Sequence, residues 1–95
     1  MEDVMATTGY NFEGYRIVEY YGIVFTNIEY HNSNNRDEKQ RDGVVLEGIE
    51  RLKRQVKALG GNAMIGYSGS IQGCNLNFDA FFCTATAVRV EKYRG

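Results

Sequence analysis

The sequence predicts an α+β domain in the order β-α-β-β, with one long helix packed on a mostly antiparallel sheet, and three observations carry that prediction. The first is a change of period across Lys57-Ala58-Leu59-Gly60-Gly61-Asn62-Ala63-Met64-Ile65-Gly66-Tyr67. Apolar residues recur at spacings of four and three up to Leu59 and alternate from Asn62 onward, so a helix stops and a strand begins within about four residues. The second is the β-branched and aromatic run at 16–26, and the third a longer one at 78–90 that is apolar or small on both faces.

From the N-terminus, residues 1–9 are weakly patterned, and Val4-Met5-Ala6-Thr7-Thr8 reads as a short edge strand or a flexible end. Gly9 and Gly14 bracket a turn. The first long strand spans 16–26, and Gly22 inside it marks a bulge or a close backbone approach. Residues 27–35 hold four asparagines, a serine and His31, the only histidine, which is turn-forming composition without periodicity and therefore a loop. A loop of that length is as often functional as passive. Residues 37–41 are charged and fit a first, frayed helical turn.

In 42–59 the positions Val45, Ile49, Leu52, Val56 and Leu59 fall on one helical stripe. The opposite face carries Glu47 with Arg51 and Glu50 with Arg54 in the favourable i,i+4 order, each exposed pair contributing roughly 0.3 to 0.5 kcal/mol. Gly48 costs about 1 kcal/mol relative to alanine, which predicts a neighbour that approaches closely. Lys57 opposes the negative end of the helix dipole, and Gly60 is placed to take the left-handed conformation that closes a helix.

In 62–71 the alternation puts Ala63, Ile65, Tyr67, Gly69 and Ile71 on one face and Met64, Gly66, Ser68 and Ser70 on the other. Residues 72–77 read as a hairpin loop. In 78–90, Phe82, Thr84, Thr86, Val88 and Val90 share one face and Phe81, Cys83, Ala85, Ala87 and Arg89 the other. A right-handed crossover sets the first strand parallel to the second, with the hairpin strand between them, giving spatial order 1-3-2 and an antiparallel sheet. The helix of roughly 27 Å is shorter than the last strand of about 40 Å, so part of the sheet stays uncovered. Open edges and a bare face predict a ring-shaped homo-oligomer.

Composition narrows the function classes. A chain of 95 residues reads as one domain, 1–95, near the size at which a single core is only marginally stable without a partner surface. Eleven basic against 12 acidic residues, net charge -1, supply no field for steering nucleic acid or an anionic membrane. No apolar run spans a bilayer and no basic, then apolar, leader opens the chain, so a cytoplasmic protein is expected. Cys74 falls in the hairpin loop and Cys83 well down the next strand, too far apart to bridge, and both are expected as free thiols. With no Pro or Trp but 7 Tyr and 5 Phe, aromatic bulk must fill the core or an interface.

Three segments, Ile17-Val18-Glu19-Tyr20-Tyr21-Gly22-Ile23-Val24, Ala58-Leu59-Gly60-Gly61-Asn62-Ala63-Met64-Ile65-Gly66 and Thr84-Ala85-Thr86-Ala87-Val88, resemble in order and spacing the YbjQ-like family of small bacterial proteins, also described as heavy-metal-binding domains. The resemblance covers roughly 7–90. It implies a dodecin-like β-α-β-β subunit and a ring-shaped homo-oligomer, a pentamer. It supplies no fixed set of ligand residues, and Ala85 stands where the family often has glycine, while 27–41 departs from the family's glycine-containing linker.

Candidate chemistry is therefore weighed by residue. His31 offers a neutral imidazole to a divalent or soft metal ion, against the plain reading of a solvated histidine. Cys83 offers a thiolate, against that of a small buried hydrophobe, and Cys74 is the more accessible of the two. Nine residues separate the cysteines, which is no zinc spacing, so a four-ligand site needs residues from symmetry mates. Glu19, in an otherwise apolar strand, is either an acid-base group or a charge paired with Arg16 or Arg89. Tyr10, Tyr15, Tyr20 and Tyr21 suit a planar ligand such as a flavin, or an interface, and Tyr67 joins Glu19, Tyr20 and Tyr21 as a ligand or interface candidate. The glycines at 60–61 and 66–69 follow the helix instead of preceding it, unlike a phosphate loop.

Two functions lead: an oligomeric binding protein with its ligand at subunit interfaces, and an assembly module, structural or regulatory, with no small-molecule ligand. An enzyme ranks last, because no Ser-His-Asp, Cys-His or paired-carboxylate spacing appears.

Overall fold

A computed structural model describes residues 4–31, 38–73 and 78–93. Its elements are β1 (Met5–Ala6), β2 (Tyr15–His31), α1 (Glu38–Leu59), β3 (Ala63–Gly73) and β4 (Phe78–Lys92). The α+β class and the single helix on the sheet are as the sequence predicts. The sheet order is β1-β3-β4-β2. It differs from the three-stranded 1-3-2 arrangement by a fourth strand: β1 adds outside β3 in parallel, so the sheet is mixed and not antiparallel throughout.

The first long strand runs past its expected end. β2 continues through 27–31, with Asn27 opposite Phe82 and His31 opposite Phe78, so five of the residues read as loop are sheet. Turn-forming composition is outweighed here by a partner strand: Ile28 is buried opposite Phe81 and Tyr30 packs against the same cluster. Residues 32–35 and the cysteine at 74 lie outside the described residues.

At the helix C-terminus the Gly61 N–H donates to the Val56 carbonyl at 2.9 Å and the Gly60 N–H to that of Lys57 at 3.0 Å, a Schellman closure with Gly60 at φ 94°. The buried line of α1 is Val44, Gly48, Leu52 and Val56, one position round from the expected stripe, with Val45 and Ile49 flanking it and Leu59 exposed. Gly48 explains the rotation, because it lets the axis approach the sheet along that line.

Two cores result. Between helix and sheet lie Leu52, Val56, Val24, Ile28, Met64, Phe81, Cys83, Ala85 and Ala87. On the opposite face, at one end, Ala63, Ile65, Val88 and Val90 pack with Met5, Phe12, Tyr15 and Ile17, so the N-terminal segment covers part of the face expected to be bare. The alternation read for the second strand breaks after Ile65: a register shift there carries Tyr67 to the helix side, with Met64. The molecule is elongated, 53 × 24 × 21 Å, with a radius of gyration of 15.3 Å against about 12 Å for a compact chain of this length.

Candidate functional site

β2 carries most of the candidate residues, and its register decides which face each takes. From Gly22 to His31 the pairing with β4 is unbroken, so Ile23, Phe25, Asn27 and His31 share a face with Thr86, Thr84, Phe82 and Phe78, away from the helix. Tyr20, opposite Val88, joins them. Ile23 is 76% exposed, Phe25 68% and Tyr20 66%, an apolar stripe on open sheet that the sequence reading touched only at Tyr20.

His31 is exposed and meets the Phe78 ring edge to face, centroids 5.3 Å apart at 79°. Cys83 is a buried free thiol on the opposite, helix-side face, opposite Thr26. Five residues along the strand, roughly 17 Å, and the sheet itself separate them, so one subunit does not bring His31 and Cys83 together. Among the described residues no group of three or more His, Cys, Asp or Glu side chains converges. Burial pushes the Cys83 thiol up, and burial, then the nearby Cys83 charge, does the same to the Tyr67 phenol. Both hold their protons, which favours packing over ligation for this pair. The Tyr30 hydroxyl is buried under the same helix with no hydrogen-bond partner among the described residues.

A polar group gathers where α1 ends. The Tyr21 hydroxyl donates to the Glu19 carboxylate at 3.0 Å, Arg89 stands opposite Glu19 on β4, and its guanidinium donates to the Gly60 carbonyl at 3.2 Å. Desolvation raises the Tyr21 phenol, the Glu19 hydrogen bond and charge add to it, and Arg89 opposes them. Arg16, the other expected partner of Glu19, instead pairs with Glu91 at 3.4 Å, its neighbour across the strands. Arg89 was legible as an alternating strand position and as a charge partner for Glu19, which it faces across the strands. Its role as a helix cap depends on the tertiary approach of β4 to Gly60.

With this geometry in place, a solved structure can be set beside the chain. It is similar to a protein of unknown function that belongs to the DUF74 family, from Pediococcus pentosaceus, with a TM-score of 0.75 and 18% identity over 93% of this chain and 98% of that one. The fold is shared. At that identity the likeness speaks for architecture alone. No protein-family model matches the sequence, and no curated protein does.

Proposed function

We propose that the chain is the subunit of a ring-shaped homo-oligomer, a pentamer of YbjQ-like type, which buries the outward face of β2 and β4 and holds its ligand, a metal ion or small molecule, at the subunit interfaces. The observation that carries the reading is the exposed stripe of Tyr20, Ile23 and Phe25, flanked by Phe82. Isolated exposed apolar residues need no explanation, but neighbours on one sheet face do. The chain exposes 6760 Å², whereas a compact monomer of 10.8 kDa exposes about 5,500 Å². The surplus exceeds the roughly 800 Å² that each partner gives up in a typical stable complex.

His31 lies on that outward face, where a neighbouring subunit would supply the further ligands a metal needs; Tyr20 lies on the same face toward the far end of β2, and Glu19, opposite Arg89, takes the other face. Cys83 takes no part while the helix covers it.

Native mass spectrometry before and after chelator treatment tests both halves of the proposal. A ring carrying mass that the chelator removes supports the binding protein, a ring with no such mass favours the assembly module, and a monomer overturns both. Ile23→Asp tests the face: it should dissociate the ring while leaving the circular dichroism spectrum unchanged. Val88 is unsuitable for this purpose, because it is fully buried inside the subunit's own second core and a charge there would unfold the chain.

A further inference from the structure

The two edges of the sheet are built differently. Along β2 the register shifts between Ile17 and Glu19 and again between Tyr20 and Gly22, two bulges that distort the ladder. Further on, side chains of α1 reach over the edge: the Gln55 amide donates to the Phe25 carbonyl at 2.9 Å, and the Arg51 guanidinium to the Asn27 carbonyl at 3.5 Å. Carbonyls two residues apart point to the same side of a strand, so these are consecutive acceptors of one edge.

The β3 edge is covered only at its start. β1 pairs with Ala63 and Met64, and the Gly66 and Tyr67 N–H groups donate to the carbonyls of Gly9 and Thr7. Residues 68–73, Ser-Gly-Ser-Ile-Gln-Gly, pair with β4 in unbroken register and have no partner on their outer side among the described residues. They carry no charge and no proline, the usual guards of an exposed edge.

The two edges are also level and parallel. Ser68 and Phe25 both stand opposite Thr84, Gly73 and Tyr30 both opposite Asp79, and β2 and β3 are each antiparallel to β4. A second copy displaced sideways therefore lays its residues 68–73 beside the stretch of β2 that Gln55 and Arg51 occupy. Such head-to-tail addition by translation does not close and would grow a filament.

We infer that Gln55 and Arg51 close the β2 edge against the open β3 edge of another copy, so that self-association runs through the outward face and stops at a closed assembly. The closure rests on the self-assembly reading only for what that assembly is. The edge chemistry stands without it.

The test is the double variant R51M/Q55M, which keeps helix propensity at two incompletely buried positions and removes both donors. Sedimentation velocity over a dilution series should show one concentration-independent mass for the wild type, and for the variant species that grow with concentration to about twice that mass or more. Adding Ser70→Lys should return the wild-type mass. A double variant with wild-type mass at every concentration overturns the closure. Ser70→Lys alone decides the matter should the double variant fail to fold: the native mass should persist, and dissociation would place the β3 edge in the native interface and overturn the inference. An Ile23→Asp variant that keeps its mass removes the proposed face, and a growing R51M/Q55M would still establish the closed edge.

Discussion

Gly48 lies against the ring of Phe81: a Cβ at position 48 would stand 2.7 Å from Phe81 Cε2 and 3.1 Å from Cys83 Sγ. In an exposed helix, replacing this glycine with alanine would stabilise by about 1 kcal/mol. Here the added methyl must displace a buried aromatic ring, and overpacking of that kind costs about 1 to 3 kcal/mol. Gly48→Ala is therefore expected to lose stability in urea denaturation. A gain would show that the helix can lift from the sheet without penalty.

Gly60 poses the opposite case. It has φ 94°, yet the nearest atom to an added Cβ is the Tyr21 hydroxyl oxygen at 3.8 Å, so space is available and only the backbone conformation objects. Valine at this position should cost about 1 to 3 kcal/mol, and asparagine, which tolerates left-handed backbone, distinctly less. Thermal unfolding of both variants separates the two causes. Equal losses would point to crowding and against the conformational account.

These two glycines also mark what was legible in the sequence. The helix stop and the close approach at 48 follow from local chemistry, since a glycine inside a helix and a glycine after its last basic residue each carry a physical cost or use. The face assignments of the last strand follow from alternation and agree with the two cores. What escaped depended on non-local pairing: β2 runs on through Tyr30 and His31 because β4 lies beside it, Tyr67 changes face because of a bulge, and the stripe Tyr20, Ile23, Phe25 is apolar like any strand until the structure leaves it exposed among the described residues. The candidate metal residues could not be joined or separated without register, which places His31 and Cys83 on opposite faces.

The buried thiol predicts inertness and an alkaline weakness. Burial raises Cys83 above the ordinary thiol value of 9.0, and Tyr67 is raised above its own 10.0. The folded state thus holds these protons more tightly than the unfolded chain does. The stabilisation is complete below the unfolded values and is lost as pH climbs through and beyond them. Urea midpoints should hold level up to about pH 9 and fall above it, with a shallower fall in Cys83→Ala. Alkylation of the native protein at Cys83 should wait on unfolding. Parallel alkaline slopes for the two proteins would remove the thiol from the explanation.

Asn62 stitches the helix–strand junction to β4, and the consequence is a pH-dependent variant. Its side-chain amide donates to the Val90 carbonyl at 3.0 Å while its oxygen accepts from the Val90 N–H at 2.8 Å, supplying the ladder bonds that β3, which starts one residue later, does not reach. Its own N–H donates to the Val88 carbonyl and its carbonyl accepts from the Met5 N–H, so β1, β3 and β4 meet at this residue. Asn62→Ala leaves both Val90 groups without their partner and should cost about 2 to 3 kcal/mol, the amount expected for part-buried groups that water reaches incompletely. Asn62→Asp has the same shape but sets a carboxylate oxygen against the Val90 carbonyl. Only its protonated form can donate there, so the folded state raises the carboxyl's pKa, and the stabilisation present in acid is lost as pH rises through that value. The stability gap between Asn62→Asp and the wild type, read from urea midpoints, should therefore narrow on acidification. A gap independent of pH would show that the carboxylate has turned away from Val90 and that the amide's donor is dispensable.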